Sequence, residues 1–338
     1  MTELRIEYVH ESLRCRLRID GDRAGFWSAI SSLLYNETED FESSFTEITV
    51  PWWVFLLKRR QIGELARIRR VRVSFDEGAK ENLVIANARV QSFTDARDSE
   101  MPSVGEVESL LEAAEFSRTL FPYQMENVRR LVSLPSGASF SVPGAGKTTE
   151  ALAFYATRRD RDTKLLIVCP KNAFAVWEEE FGNCFEEGED VRIARLRGAE
   201  QTRRLLGEGP EVLLTTYSQF QVNRVQHLLA DFMSRNDTIM MLDESHHMKR
   251  GLQGVRGRSI LAISHLPTSK LILTGTPMPN SSEDLVAQFN FLYPEVDVDE
   301  NDVIERIQPI FVRTTKGDLD LPPKTEEQVP LPMSPTQE

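Results

Sequence analysis

In the larger, C-terminal part of the chain, apolar residues come in short consecutive runs: "KLLIVCP" (164–170), "EVLLTTY" (211–217), "TIMMLDE" (238–244) and "KLILTGTP" (270–277). A strand exposed on one face alternates apolar and polar residues, whereas a strand covered on both faces of a parallel sheet is apolar at consecutive positions. Stretches with helical spacing separate the runs. Alternating β and α elements predict an α/β fold with a doubly wound parallel sheet. Each run ends in polar or small residues, and ligands of such sheets bind beyond the carboxyl ends of the strands. The N-terminal part reads differently. "LRIEYV" (4–9) and "LRCRLRI" (13–19) alternate as half-buried strands do, "GFWSAISSLLYN" (25–36) has helical spacing, and "ENLVIANARVQSF" (81–93) reads as a further strand. The pattern predicts a smaller α+β accessory domain over 1–105 and an α/β domain over 106–322, with the acidic stretch around Pro102 and Gly105 as boundary. The Pro- and Glu-rich residues 323–338 read as a linker.

One strand-to-helix junction carries candidate chemistry. In "SFSVPGAGKTTEALA" (139–153), a short strand (137–142) runs through Gly144, Ala145 and Gly146 into a helix starting at Lys147. Backbone N–H groups of such a loop point at a phosphate from the positive end of the helix. Lys147 supplies a point charge for the outer phosphates, the Thr148 hydroxyl is placed to ligate Mg²⁺, and Thr149 continues the helix entry. The pattern G-x-x-x-x-G-K-[ST] has Ser141 in place of its first glycine. A plain helix-entry turn accounts for Gly-Ala-Gly, but not for Lys-Thr in register after it. An acidic strand end is the expected second half of the site. Asp243 and Glu244 supply it, Asp243 to hold Mg²⁺ through water and Glu244 to orient the attacking water. A polar turn would serve for one Asp-Glu pair alone; beside the glycine loop the pair reads as catalytic. His246 and His247 lack partners at metal-ligand spacing.

Charge and composition narrow the partners. The net charge of −12 excludes a sequence-blind polycation but allows a local basic groove. The basic run Lys58–Val73 could meet nucleic acid, although a solvated face is the simpler reading. Three widely spaced cysteines, Cys15, Cys169 and Cys184, suggest reduced thiols and a cytoplasmic setting. There is no apolar run of membrane-spanning length and no signal-peptide core in "MTELRIEYVHE", so no membrane partner is expected.

These motifs, in their order, resemble the SWI/SNF-type ATPases of helicase superfamily two. "LFPYQMENV" (120–128) resembles the entry segment, where Tyr123 and Gln124 fall on the adenine-reading motif. "SVPGAGKT" resembles the first motif, in which the family often has Asp at the position of Ser141. "LLIVCPKNAFAVWEEEF" (165–181) and "VLLTTYSQF" (212–220) are similar to the next two. "LDESHHMKR" (242–250) fits the D-E-x-H box, with Ser245 in the usual Ala position. "LILTGTPMPNSSEDLVAQFNFLYPE" (271–295) is the most specific match. In the closing segment, from Phe311, Thr314 stands where the family usually has Arg.

The resemblance implies a P-loop, RecA-like lobe that binds ATP and Mg²⁺ and grips duplex DNA. It implies phosphate contacts near Pro170, Lys171, Thr216 and Tyr217, which position a protein without reading sequence. It implies that His246 relays nucleotide state to neighbouring loops and that Thr274, Gly275 and Thr276 couple nucleotide to DNA. It also implies a DNA-dependent ATPase and translocase that works with a second RecA-like lobe carrying an arginine finger, in the same or another chain. On this reading the 338 residues are the front half of a motor and nearly inactive alone. The alternative is a catalytically silent scaffold for nucleic acid or protein. Family analogy alone suggests prokaryotic phage defence, with other defence-system proteins as partners.

Overall fold

The computed structural model describes residues 2–21, 25–185, 191–248 and 254–319. The expected linker (323–338), the last residues of the 106–322 domain, and Lys249 and Arg250 lie outside the described residues. The N-terminal unit runs β1 (Glu3–Val9), β2 (Arg14–Asp20), α1 (Phe26–Tyr35), β3 (Glu42–Ser43), β4 (Glu47–Pro51), α2 (Trp52–Arg69), β5 (Arg72–Phe75) and α3 (Glu77–Asp95). Its sheet has the order β3-β4-β2-β1-β5 and is mixed: β5 is parallel to β1, and the other pairs are antiparallel. The alternation in β1 and β2 works as expected, burying Leu4, Ile6, Cys15, Leu17 and Ile19 on one face. Helix α2 is buried at every position from Trp52 to Leu57 and turns amphipathic only afterwards. The expected basic face is therefore split. Lys58 and Arg59 point into the second unit, whereas Arg60, Arg67, Arg69, Arg70 and Arg72 are exposed.

The expected strand over 81–93 is instead the body of α3. Asp76 caps that helix by accepting from the Ala79 N–H (2.8 Å), and Ala79, Ala86 and Phe93 bury at seven-residue spacing. Val84 and Ile85, which give the segment its strand-like look, sit on the exposed side. The cap and the buried stripe outweigh β-branched propensity.

The second unit contains α4 (Val104–Ala113), α5 (Pro122–Val132), β6 (Ser136–Ser139), α6 (Lys147–Ala156), β7 (Lys164–Val168), α7 (Phe174–Cys184), β8 (Ile193–Arg195), α8 (Gly198–Gly207), β9 (Val212–Thr215), α9 (Tyr217–Phe220), α10 (Asn223–Arg235), β10 (Thr238–Asp243), α11 (Val255–Leu261), β11 (Ser269–Leu273), α12 (Glu283–Leu292), α13 (Val303–Ile307) and β12 (Phe311–Val312). Seven strands in the order β12-β6-β11-β10-β7-β9-β8 form an all-parallel sheet with the doubly wound architecture of a RecA-like lobe. Consecutive apolar positions serve opposite faces. Leu165, Ile167, Ile239 and Met241 pack towards α4 to α7. Leu166, Val168, Met240 and Leu242 pack into the core that holds α9 to α13.

That second core runs without a break into the N-terminal unit. Phe93 of α3 meets Phe289 (ring centroids 5.4 Å apart) and Tyr293 (5.0 Å). The Tyr8 hydroxyl hydrogen-bonds His265 Nε2 at 2.8 Å. Arg89 donates to the carbonyls of His265 and Pro267 and pairs with Glu295 (3.3 Å), whose side chain is fully buried. Lys58 bridges Glu37 and Asp297, both at 3.1 Å. The three cysteines are free and buried. Among the described residues no helix is long and apolar enough to cross a membrane.

Candidate active site

Because β6, β11, β10, β7 and β9 are parallel neighbours, their carboxyl ends open onto one edge. The glycine loop joins β6 to α6 there. Gly144 and Gly146 take left-handed backbone conformations, φ +85° and +77°. A Cβ at residue 146 would also push Gln124 Nε2 off the loop, on top of the strain at positive φ. The first main-chain bond of α6 is made by Glu150 N–H to the Gly146 carbonyl, which leaves the N–H groups of Lys147, Thr148 and Thr149 ahead of the helical ladder. Lys147 Nζ lies across the loop, donating to the carbonyls of Ser141 (2.9 Å) and Val142 (3.3 Å).

Gln124 is 3% exposed and clamps this loop to α5. Its Nε2 donates to the carbonyls of Ala145 (3.3 Å) and Gly146 (3.5 Å), and its Oε1 accepts from the Phe121 N–H at 2.9 Å. Beside it, Phe121 and Tyr123 stack with rings nearly parallel, centroids 5.7 Å apart, and Phe121 is exposed. Thr149 buries its hydroxyl, donating to Glu180 (2.5 Å), which also pairs with Arg118 (3.4 Å). Only the backbone of Thr149 is left for a phosphate.

At the end of β10, both Asp243 carboxylate oxygens accept hydrogen bonds: Oδ1 from the Glu244 N–H (2.9 Å) and Oδ2 from Trp177 Nε1 (3.0 Å). Burial pushes the Asp243 pKa up, while the Trp177 bond and the charge of Lys147 pull against it. Lys147 and the acidic strand end are thus within electrostatic reach of each other. Glu244 has φ +51°, rare for a residue with a side chain, and such strain clusters at functional sites. The site suits a hard cation. Oxygen donors are what such an ion takes, and the Thr148 hydroxyl is half-buried with no side-chain partner among the described residues.

A third loop completes the wall. His246 Nδ1 lies 3.1 Å from Glu244 Oε2, 3.0 Å from Thr274 Oγ1 and 3.4 Å from Thr276 Oγ1. Thr274 N–H donates to the Ser139 carbonyl (3.1 Å), and Thr276 N–H to Thr274 Oγ1 (3.1 Å). A Cβ on Gly275 would come within 3.0 Å of Pro143, so a side chain there would push on the glycine loop. Gln288 of α12 joins this loop to the acidic box, accepting from Ser245 (2.6 Å) and donating to the Pro277 carbonyl (2.8 Å).

The residues expected to face DNA divide. Pro170, Lys171 and Thr216 lie at the surface beyond β7 and β9, with Lys171 exposed. Tyr217 is 4% exposed and donates its hydroxyl to the Asp243 carbonyl (2.9 Å), so its side chain supports the acidic strand end instead. Sequence reasoning missed a buried network behind the loop. Ser141 Oγ accepts from the Thr314 N–H (2.9 Å), Asn127 donates to both Thr314 Oγ1 and Glu150 (2.8 Å each), and Ser139 donates to Glu150 (3.1 Å). Ser141 and Thr314, the two departures from the family pattern, therefore bind each other.

Burial raises the Glu150 pKa to about 7, against the opposing hydrogen bonds from Asn127 and Ser139 and the charge of Lys147. The folded state thus holds a proton that the unfolded chain releases near pH 4.5. Glu150 contributes fully to stability below that value and loses its contribution as pH rises through 7, a difference of roughly 3 kcal/mol. Glu150→Gln should flatten this part of the pH dependence and be the more stable form at pH 8. Denaturant midpoints on either side of the window, at about pH 4 and pH 8, check it; parallel pH profiles for the two proteins would refute it.

Residues 123–302 match the family model described as the SNF2-related domain. The chain is 30% identical over 190 residues to the ATP-dependent helicase brm of Drosophila melanogaster, a match covering 53% of this chain and 11% of that protein. It is 27% identical over 248 residues to a mouse SWI/SNF-related, matrix-associated, actin-dependent regulator of chromatin (subfamily A member 1), covering 63% of this chain and 22% of the relative. The chain thus corresponds to a small part of each curated relative's length. Among solved structures, the UvsW helicase of bacteriophage T4 aligns over 93% of this chain and 99% of its own, with a TM-score of 0.43 and 14% identity. The matched span takes in the glycine loop, the acidic strand end and the Thr-Gly-Thr loop, and the chain belongs to the SNF2-related family, as an ATPase lobe of helicase superfamily two.

Proposed function

We propose that this chain binds ATP with Mg²⁺ and duplex DNA, and that it serves as the nucleotide-gripping lobe of an ATP-driven translocase. The observation that carries the reading is the single wall formed by the Gly144–Thr148 loop, the Asp243–Glu244 strand end and the Thr274–Thr276 loop: His246 joins the last two, and Gly275 lies against Pro143 at the start of the first. In this reading the N–H groups of the loop and of the first turn of α6 hold the phosphates, and Lys147 leaves its loop carbonyls for the outer phosphate oxygens. Thr148 and Asp243 would hold magnesium, which when bound neutralises phosphate charge. Glu244 orients the attacking water and accepts its proton. Pro170, Lys171 and Thr216 meet the DNA backbone, and Thr274, Gly275 and Thr276 pass the state of Glu244 to that edge through His246. A second RecA-like lobe, in the same or another chain, closes over the nucleotide.

Titration with a fluorescent ATP analogue, with and without Mg²⁺, tests the site. Lys147→Ala should weaken binding about tenfold to a hundredfold, as expected for loss of a charge-assisted phosphate contact. Unaltered affinity, or no binding by the parent chain, would favour the silent scaffold.

A further inference from the structure

Trp177 is packed inside the lobe at 1% exposure. It lies on the buried stripe of α7, with Phe174, Phe181 and Cys184 at helical spacing. That stripe accounts for the ring but not for where its polar edge goes. Nε1 reaches across to β10 and donates to Asp243 Oδ2 at 3.0 Å. An indole nitrogen can only donate, and a buried one usually finds an acceptor. This fold tolerates one that does not: Nε1 of Trp52, equally buried, has no partner among the described residues. The need to satisfy an indole is therefore not enough to explain why Trp177 is paired with a carboxylate of the candidate site.

The other contacts of Asp243 show what the indole adds. The Asp243 carbonyl accepts from the Tyr217 hydroxyl (2.9 Å), which pins the main chain. Oδ1 accepts from the Glu244 N–H (2.9 Å), a bond that by itself leaves the carboxylate free to pivot about that oxygen. The indole N–H on Oδ2 stops the pivot. An ionised carboxylate has about four acceptor sites, so these two donors leave each oxygen one for a further contact.

We propose that Trp177 is a positioning residue for the Mg²⁺ site, its indole N–H setting the orientation in which the Asp243 carboxylate meets the cation. The inference rests on the reading that this chain binds ATP with Mg²⁺. Groups that hydrogen-bond a metal-holding carboxylate fix its direction, and their loss weakens the metal without touching a ligand. Trp177 therefore acts through Asp243 and touches neither nucleotide nor cation.

The test follows the affinity of a fluorescent ATP analogue as Mg²⁺ is titrated, beside its affinity in EDTA. Trp177→Phe keeps an aromatic ring and removes the donor. It should raise the Mg²⁺ concentration needed for half effect about tenfold, the usual result of deleting such a partner. Affinity in EDTA should stay at the parent's value. In an Asp243→Asn background the same substitution should change neither affinity by more than about twofold, because its route to the cation is gone. A loss in EDTA as well, or an equal loss in the Asp243→Asn background, would mean a packing role and overturn the proposal. So would an unshifted Mg²⁺ dependence. Where the parent's binding is sensitive to Lys147→Ala, these results strike this inference alone; a parent that binds no analogue defeats both readings.

Because the ring is buried, a second measurement leaves it in place. The chain has four tryptophans, and Trp27, Trp52 and Trp53 all belong to the N-terminal unit. In the NMR spectrum of protein carrying isotope-labelled tryptophan, Asp243→Asn should move one indole N–H signal, that of Trp177. In the parent the same signal should shift when Mg²⁺ joins the bound analogue, and the other three should hold still. A Trp177 signal indifferent to Mg²⁺ would overturn the proposal.

Discussion

Glu244→Gln should keep ATP binding and lose turnover by about a hundredfold or more, the range expected when a general base is removed. The swap is nearly isosteric. The amide that replaces the carboxylate can still meet His246 Nδ1, and the Glu244 N–H to Asp243 bond depends on backbone alone. A drop in hydrolysis with unchanged nucleotide affinity would therefore report on the proton-accepting oxygen, not on a damaged loop. Single-turnover ATP hydrolysis with the second RecA-like lobe and duplex DNA present, beside an equilibrium titration of the same variant, separates the two. Turnover equal to the parent's would show that the residue is misassigned. The left-handed backbone at Glu244 adds weight to the assignment. A glycine would relieve that strain, of about 1–2 kcal/mol, but would carry no carboxylate.

The largest stability effect is expected far from the nucleotide. Arg89→Ala should destabilise the protein by about 3–5 kcal/mol, the usual consequence of stripping one partner from a buried pair. Glu295 has a side chain with no exposure, and its Oε2 already lacks a partner, so Arg89 is its one neutralising contact within salt-bridge distance among the described residues. The same substitution removes donors from the carbonyls of His265 and Pro267. Adding Glu295→Gln to the variant should recover part of the loss, because the stranded charge is then gone. Urea midpoints of the two single variants and the double variant form the cycle. Full additivity would show that the pair is not coupled.

What can be read in the sequence is local. The runs 164–170, 211–217, 238–244 and 270–277 are legible because burial on both faces leaves an uninterrupted apolar signature. The glycine loop and the Asp243–Glu244 pair are legible because each is a short pattern at a strand end. What stays hidden depends on residues brought together from afar. Trp177 and Asp243 are 66 residues apart, and Asn127 and Thr314 are 187 apart. No spacing rule predicts such pairs. Tyr217 misleads for the same reason: its place in the motif suggests a surface, but its hydroxyl turns inward to Asp243. Helix α3 passes for a strand because Val84 and Ile85 dominate its composition, although its cap at Asp76 and the Ala79–Ala86–Phe93 spacing are present in the letters.

The unbroken core between the two units bears on how the molecule can be cut and reused. Phe289 and Tyr293 are shielded by Phe93, and His265 by Tyr8. A fragment beginning at the predicted boundary would leave these aromatic rings bare to solvent and invite clumping through that flank. The opposite flank, sealed by α4 to α7, would lose only the Ser103 cap and the first residues of α4. Grafting the lobe onto a different front piece therefore means supplying a substitute for α3, whereas its other side needs only the start of α4 kept.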